Sequence, residues 1–245
     1  MPWGHPVPVQ AALMQADRKS DDSGEWRGWR PNGGRVLDVE TMSGTQRFDQ
    51  AGLELALTEL GRRSYEIGRT IEIAIYGGSA ILLTLNRHVS TRDVDAVFER
   101  DKTFVKKLAS EMAQEFGWAD DWLNDGVKGF LSAADDNPGV KVLFKTYPSE
   151  DRPGLRVFVP RPEYLFAMKC RAMRVGGVDS SSDIDDIRSL AKKIGLANSE
   201  EALALVETFY PNNVLEPKTR FGLEEIFSSL DCEKLHDDRT RPRER

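Results

Sequence analysis

Apolar positions change their spacing several times along the chain, and each change marks an element. After Asp49, Leu53, Leu57 and Leu60 recur at i, i+4 and i+7, the spacing that lines one face of a helix. Asp49 is placed to cap that helix. Ile71, Ile73 and Ile75 alternate with Glu72, Ala74 and Tyr76, which predicts a strand. Gly77-Gly78 breaks the alternation, and Ser79 stands where a cap would open a short helix through Leu85. Asp93 to Phe98 alternates again as a second strand. Phe104, Leu108 and Met112 predict a helix over Lys102 to Phe116. Val140 to Lys145 and Leu155 to Val159 predict two further strands, joined by a polar connection containing Pro148 and Pro153.

Beyond Val159 the period becomes helical. Pro162 suits the first turn of a helix reaching about Arg174, and Gly176-Gly177 ends it. Asp183 to Lys193 predicts another, stopped by Gly195 in a left-handed cap. Asn198 with Glu201 forms a capping box for a helix reaching Phe209. Strands first and helices afterwards predict an α+β fold, a small mixed sheet flanked by helices and followed by a helical C-terminal region. The expected organisation is a disordered leader over 1–45, a core over 46–160, the helical region over 161–230 and a flexible tail over 231–245. The leader is rich in Pro, Gly, Asp, Ser and Arg without an apolar period, and Met42 is read as an alternative start.

Composition narrows the function classes. Of 245 residues, 34 are Lys or Arg and 40 are Asp or Glu, giving a net charge of -6, which argues against nucleic-acid binding over the whole surface. The local exception is Arg152 to Arg174, where Arg152, Arg156, Arg161, Lys169, Arg171 and Arg174 face a single acid, Glu163. The longest stretches without charge, Met1 to Ala16 and Ile73 to Asn86, fall short of the roughly 20 apolar residues of a membrane span. Cys170 and Cys232 are too few for a disulfide framework or a four-cysteine zinc site. His5, His88 and His236 are too scattered for a metal motif. No membrane association and a cytoplasmic location are expected.

The chemistry concentrates in Tyr76-Gly77-Gly78-Ser79, followed after 13 residues by Asp93-Val94-Asp95. A strand, a double glycine and a helix start bring free backbone amides close to a ligand and favour phosphate. Ser79 adds a hydroxyl donor. The period of a strand puts Asp93 and Asp95 on one face, with Val94, Ala96 and Phe98 toward the core. Two neighbouring carboxylates repel unless a cation neutralises them, and oxygen ligands of this kind suit Mg²⁺ shared with substrate phosphates. An ordinary tight turn beside a solvated polar face would leave the same trace in sequence.

Gly-Ser followed by Asp-x-Asp resembles the signature of the nucleotidyltransferase fold related to DNA polymerase beta. Trp122-Leu123-Asn124-Asp125, the run Pro162 to Lys169, and Asp183-Ile184-Asp185-Asp186-Ile187-Arg188 extend the likeness to a nucleotidyltransferase family similar to the AbiEii-type toxins, over about residues 46 to 228. The resemblance implies that Gly77, Gly78 and Ser79 hold the phosphates of a nucleoside triphosphate and that Asp93 and Asp95 bind Mg²⁺. It implies that Lys169 contacts phosphate or assists the attacking group, and that Asp183 and Asp186 form the last acidic motif. It also implies transfer of a nucleoside monophosphate to an acceptor, tRNA or protein, with a toxin-like or defence role and an antitoxin partner.

One departure stands against it. Many members of the wider fold carry a third carboxylate on a later strand as general base, and Leu155-Arg156-Val157-Phe158-Val159 contains none; the AbiEii-type toxins that the chain resembles also manage without an obvious one. Asp125 and Glu163 are the remaining acids considered for that role. The alternative reading is a catalytically inactive nucleotide-binding or toxin–antitoxin interaction module.

Overall fold

The helix predicted after Asp49 is α1 (Gln50–Glu66), and the Asp49 carboxylate accepts the Gly52 N–H at 2.7 Å. The computed structural model describes residues 47–85, 90–98, 100–173, 180–211 and 217–240, without the side chains of 180, 181 and 230–240. All belong to the unit Met42–Arg245. The leader, His5, His88, Arg174 and Gly176-Gly177 lie outside the described residues, as do the side chains of Cys232 and His236.

The elements following α1 are β1 (Ile71–Ile75), α2 (Gly77–Leu85), β2 (Val94–Phe98), α3 (Lys102–Phe116) and a two-residue β3 (Leu123–Asn124). Next come 3-10 turns over Gly126–Phe130 and Ala133–Asp136, then β4 (Lys141–Ser149), β5 (Arg152–Pro160), α4 (Pro162–Ala172), α5 (Ser180–Ile194), α6 (Ser199–Phe209) and α7 (Pro217–Thr240). The five strands form one mixed sheet in the order β3-β2-β1-β5-β4. β1 runs antiparallel to β2 and parallel to β5, while β2 and β3 are parallel. The fold is α+β. Central β1 buries Ile71, Ile73, Ala74 and Ile75, as a strand covered on both faces must.

Three expectations need correction. The prolines meant for a connection lie inside a longer hairpin, where Pro148 faces Pro153 and only Glu150 and Asp151 turn; β4 is an edge strand, where a missing N–H costs least. The break at residue 160 divides strands from helices but not two cores. α4 buries Tyr164, Leu165, Phe166, Ala167, Met168 and Cys170 in the same hydrophobic cluster as the sheet, and α5, α6 and α7 pack on α4. Finally, the expected flexible tail is helical as far as Thr240, since Asp231 to Thr240 contains neither Gly nor Pro to stop the backbone ladder.

Candidate functional site

β1 and β5 end, and β2 begins, at one end of the sheet, and the predicted aspartates lie there. Val94, Ala96 and Phe98 are buried, whereas Asp93 and Asp95 are partly exposed, as strand alternation requires. Asp93 immediately precedes the strand. Its carbonyl accepts the hydroxyls of Ser79 at 2.7 Å and Thr91 at 2.8 Å. Its carboxylate accepts the Asn124 side-chain N–H at 2.9 Å. Pairing of Asn124 with Asp95 in the parallel β2–β3 ladder brings that amide across.

α2 begins at Gly77, two residues before the expected cap. Ser79 is therefore inside the helix, buried, with its proton committed to Asp93 rather than offered to a phosphate. It ties the turn to the aspartate strand. The first amides of α2 (Gly77, Gly78, Ser79) are those that lack partners within any α-helix. Gly77 has φ +61, and a Cβ there would sit 2.8 Å from Asp95 Oδ2. Both the left-handed backbone and the nearby carboxylate demand glycine. On the other side, a Cβ on Gly126 would lie 3.8 Å from Asp95 Oδ1. The Asp95 carboxylate is thus lodged between the turn after β1 and the turn after β3.

Burial first, and the neighbouring Asp93 charge second, push the Asp95 carboxyl up to about 6, with Lys169 pulling the other way. The surroundings therefore disfavour an ionised Asp95. Among the described residues no three His, Cys, Asp or Glu side chains group to hold a metal. Two adjacent carboxylates next to open glycine backbone instead fit an ion that takes its other ligands from phosphate and water, the usual situation of Mg²⁺.

Lys169 reaches this region from α4. Its ammonium lies 2.8 Å from Asp186 Oδ2 and 3.4 Å from Asp183 Oδ1, and both carboxylates are buried. α4 is apolar around most of its girth, so a lysine on it needs acidic partners, and α5 supplies them one turn apart. The structure brings Asp183, Asp186 and Lys169 together, and Lys169 acts electrostatically on Asp95.

Sequence reading gave no role to Thr91 or Asn124. Asn124 carried a signal in the Trp122-to-Asp125 run, but its partner is 31 residues away. The two acids considered as proton acceptors fare differently. Asp125 is bound by Lys102 (2.5 Å), Lys106 (3.1 Å) and Lys128 (3.3 Å), and these lysines, Lys102 foremost, hold its carboxyl well below the usual range. That makes it a poor proton acceptor. Glu163 lies in the first turn of α4.

The basic run from Arg152 has members committed to separate partners: Arg156 pairs with Glu72, Lys169 with Asp183 and Asp186, and Arg171 stacks over Tyr210. β5 brings no carboxylate to the site, since Phe158 pairs with Ala74 and Val159 and Pro160 follow. Compared with protein-family models, curated proteins and solved structures, this chain matches none.

Proposed function

We propose that the protein is a magnesium-dependent nucleotidyltransferase, moving a nucleoside monophosphate from a nucleoside triphosphate to an acceptor hydroxyl. The observation that carries this reading is the Asp95 carboxylate set between Gly77 and Gly126 beside Asp93, with the start of α2 on one flank. A half-buried carboxylate beside a second acid, next to amides suited to phosphate, makes sense when a cation joins them.

Asp93 and Asp95 would hold the ion, which when bound supplies a Lewis acid that offsets charge on the phosphoryl oxygens. The chain's own residues do the positioning. Asn124 fixes the Asp93 carboxylate, while Ser79 and Thr91 fix its backbone. The opening amides of α2 receive phosphate oxygens, for which the helix dipole is favourable. Lys169, paired with Asp183 and Asp186, eases the ionisation of Asp95. In the reaction the acceptor hydroxyl loses its proton to solvent, a bond forms between its oxygen and the α-phosphorus, and the bond to pyrophosphate breaks with the electron pair leaving on pyrophosphate. Such transfer depends chiefly on alignment and charge stabilisation. The resemblance to AbiEii-type toxins supports the same reading and adds a toxin-like or defence role, with tRNA or protein as acceptor and an antitoxin partner.

The decisive experiment incubates the full chain with labelled triphosphates, Mg²⁺ and cellular RNA or lysate. Label transfer is expected, and Asp93→Asn and Asp95→Asn should each lower it by at least about a hundredfold, the scale of losing a preorganised electrostatic group. Transfer that persists in both variants would overturn the proposal. One observation favours a second reading, an inactive nucleotide-binding module: β5 places Phe158, Val159 and Pro160 where a third acid is expected. Magnesium-dependent nucleotide binding with no transfer to any acceptor would select it.

A further inference from the structure

Three ammonium groups converge on the single Asp125 carboxylate, at 2.5 Å for Lys102, 3.1 Å for Lys106 and 3.3 Å for Lys128. Lys102 and Lys106 are one turn apart on α3, and Lys128 comes from the 3-10 turn after β3. One carboxylate against three ammoniums leaves a local charge of +2 on a chain whose net charge is -6. All three lysine side chains are nearly half exposed, while Asp125 is 18 % exposed. The acid gathers the lysines from below and their outer faces meet solvent. A simple surface ion pair needs one cation, and the second and third gain little while repelling each other.

The cluster is held in place. Tyr210 donates its hydroxyl to the Phe130 carbonyl at 2.7 Å, and Ser132 N–H donates to the Tyr164 hydroxyl at 3.0 Å. The turn carrying Lys128 is thereby pinned at its end. It is also set against the proposed site: Asn124, which grips Asp93, is next to Asp125, and Gly126 lies against Asp95. In the strand order β3-β2-β1, the start of α2 is on the β1 side of the aspartate strand and the lysines are on the β3 side. Two features that favour phosphate thus flank the carboxylates from opposite directions.

We infer that Lys102, Lys106 and Lys128 form the docking surface for the acceptor, and that the acceptor is a polynucleotide whose backbone phosphates they contact. The inference rests on the transferase reading for there being an acceptor, and on three half-exposed ammoniums with a single acid among them for its being a polynucleotide, whose evenly repeated phosphates they match. With the triphosphate placed at the start of α2, a second polyanion needs its own basic ground, and the Asp125 cluster supplies it. Contacts of this type position a strand without reading its bases.

The test is fluorescence anisotropy with the full chain and a short, labelled single-stranded polyuridine. Three phosphate contacts predict a slope of log affinity against log salt of about -2, or a loss of about 15-fold between about 50 and 200 mM salt. Changing Lys102, Lys106 and Lys128 together to Gln should lower affinity at least about tenfold at the lower salt and flatten that slope. Asp125→Asn should strengthen binding by a few fold, because it removes the only negative charge from the cluster; this second readout decides the matter if the triple variant does not fold. Unchanged affinity and slope in the triple variant, or weaker binding in Asp125→Asn with an unchanged melting temperature, would overturn the inference. Displacement of the RNA by polyglutamate at equal charge would overturn it in favour of an acidic protein partner. Calorimetry of magnesium–nucleotide binding to the wild-type chain separates the two readings. Lysine-dependent RNA binding without nucleotide binding defeats the transferase and leaves the surface standing, whereas nucleotide binding with lysine-independent RNA binding defeats the surface alone.

Discussion

Asp95 is where the requirements of folding and of the proposed chemistry conflict. Its carboxyl is raised to about 6 by burial and by Asp93, against roughly 3.9 in an unfolded chain. The fold therefore favours the protonated form. The contribution of Asp95 to stability is fully present below about pH 4 and is lost as pH rises through 6, above which folding must hold an ionised carboxylate next to another acid. Asp95→Asn, which keeps the shape and removes the charge, should then raise the melting temperature at pH 7.5 in a chelator and leave it nearly unchanged at pH 4. Adding Mg²⁺ should stabilise the wild type and not the variant. Thermal scans across that range check this, and an offset independent of pH would show that Asp95 is not under electrostatic strain.

At the scale of elements, α1 lies on the β4–β5 hairpin without side chains between them at one point. A Cβ on Gly154 would come within 1.8 Å of the Gly61 carbonyl oxygen, and one on Gly61 within 2.6 Å of the Tyr147 oxygen. Neither obstacle is a side chain that can swing aside. Gly154→Ala should therefore cost about 2 kcal/mol or more, at the upper part of the range for overpacked interiors, measurable by urea denaturation; a loss under about 0.5 kcal/mol would mean that helix and hairpin separate easily. Elements with a sustained period were legible from sequence. Phe104, Leu108 and Met112 placed α3, and Gly195 with φ +83 closes the helix before it as expected. β3 and the two 3-10 turns were not legible, since two to five residues carry no period. They are held by distant groups instead: Tyr76 donates to buried Asp135 at 2.6 Å, and Lys141 reaches the other oxygen of that carboxylate at 2.8 Å.

Across the whole molecule, the helices after β5 pack on the sheet through an apolar contact, and α4 and α5 are joined to each other by a charged one as well. The motif residues were legible one by one, because each lies in a short run with its own local logic. What sequence could not give was their pairing. Asn124 meets Asp93, and Lys102 and Lys106 meet Asp125, across separations that only the folded chain closes, whereas the conspicuous basic run from Arg152 is divided among several partners. Lys169 is the sharpest case, since its place between Asp186 and Asp183 makes it structural whether or not it also meets phosphate. Lys169→Met should take the ammonium from beside two buried carboxylates and destabilise the protein by about 3 kcal/mol, the scale of breaking a buried ion pair. Adding Asp183→Asn and Asp186→Asn should recover most of that loss, because the cost lies in burying two carboxylates without the lysine's charge. A single variant with unchanged stability would show that the cluster does not hold α4 and α5 together. The triple variant then tests the cluster as a unit: folded and without transferase activity, it assigns the Lys169, Asp183 and Asp186 group to the reaction, while folded and active it confines the group to the scaffold.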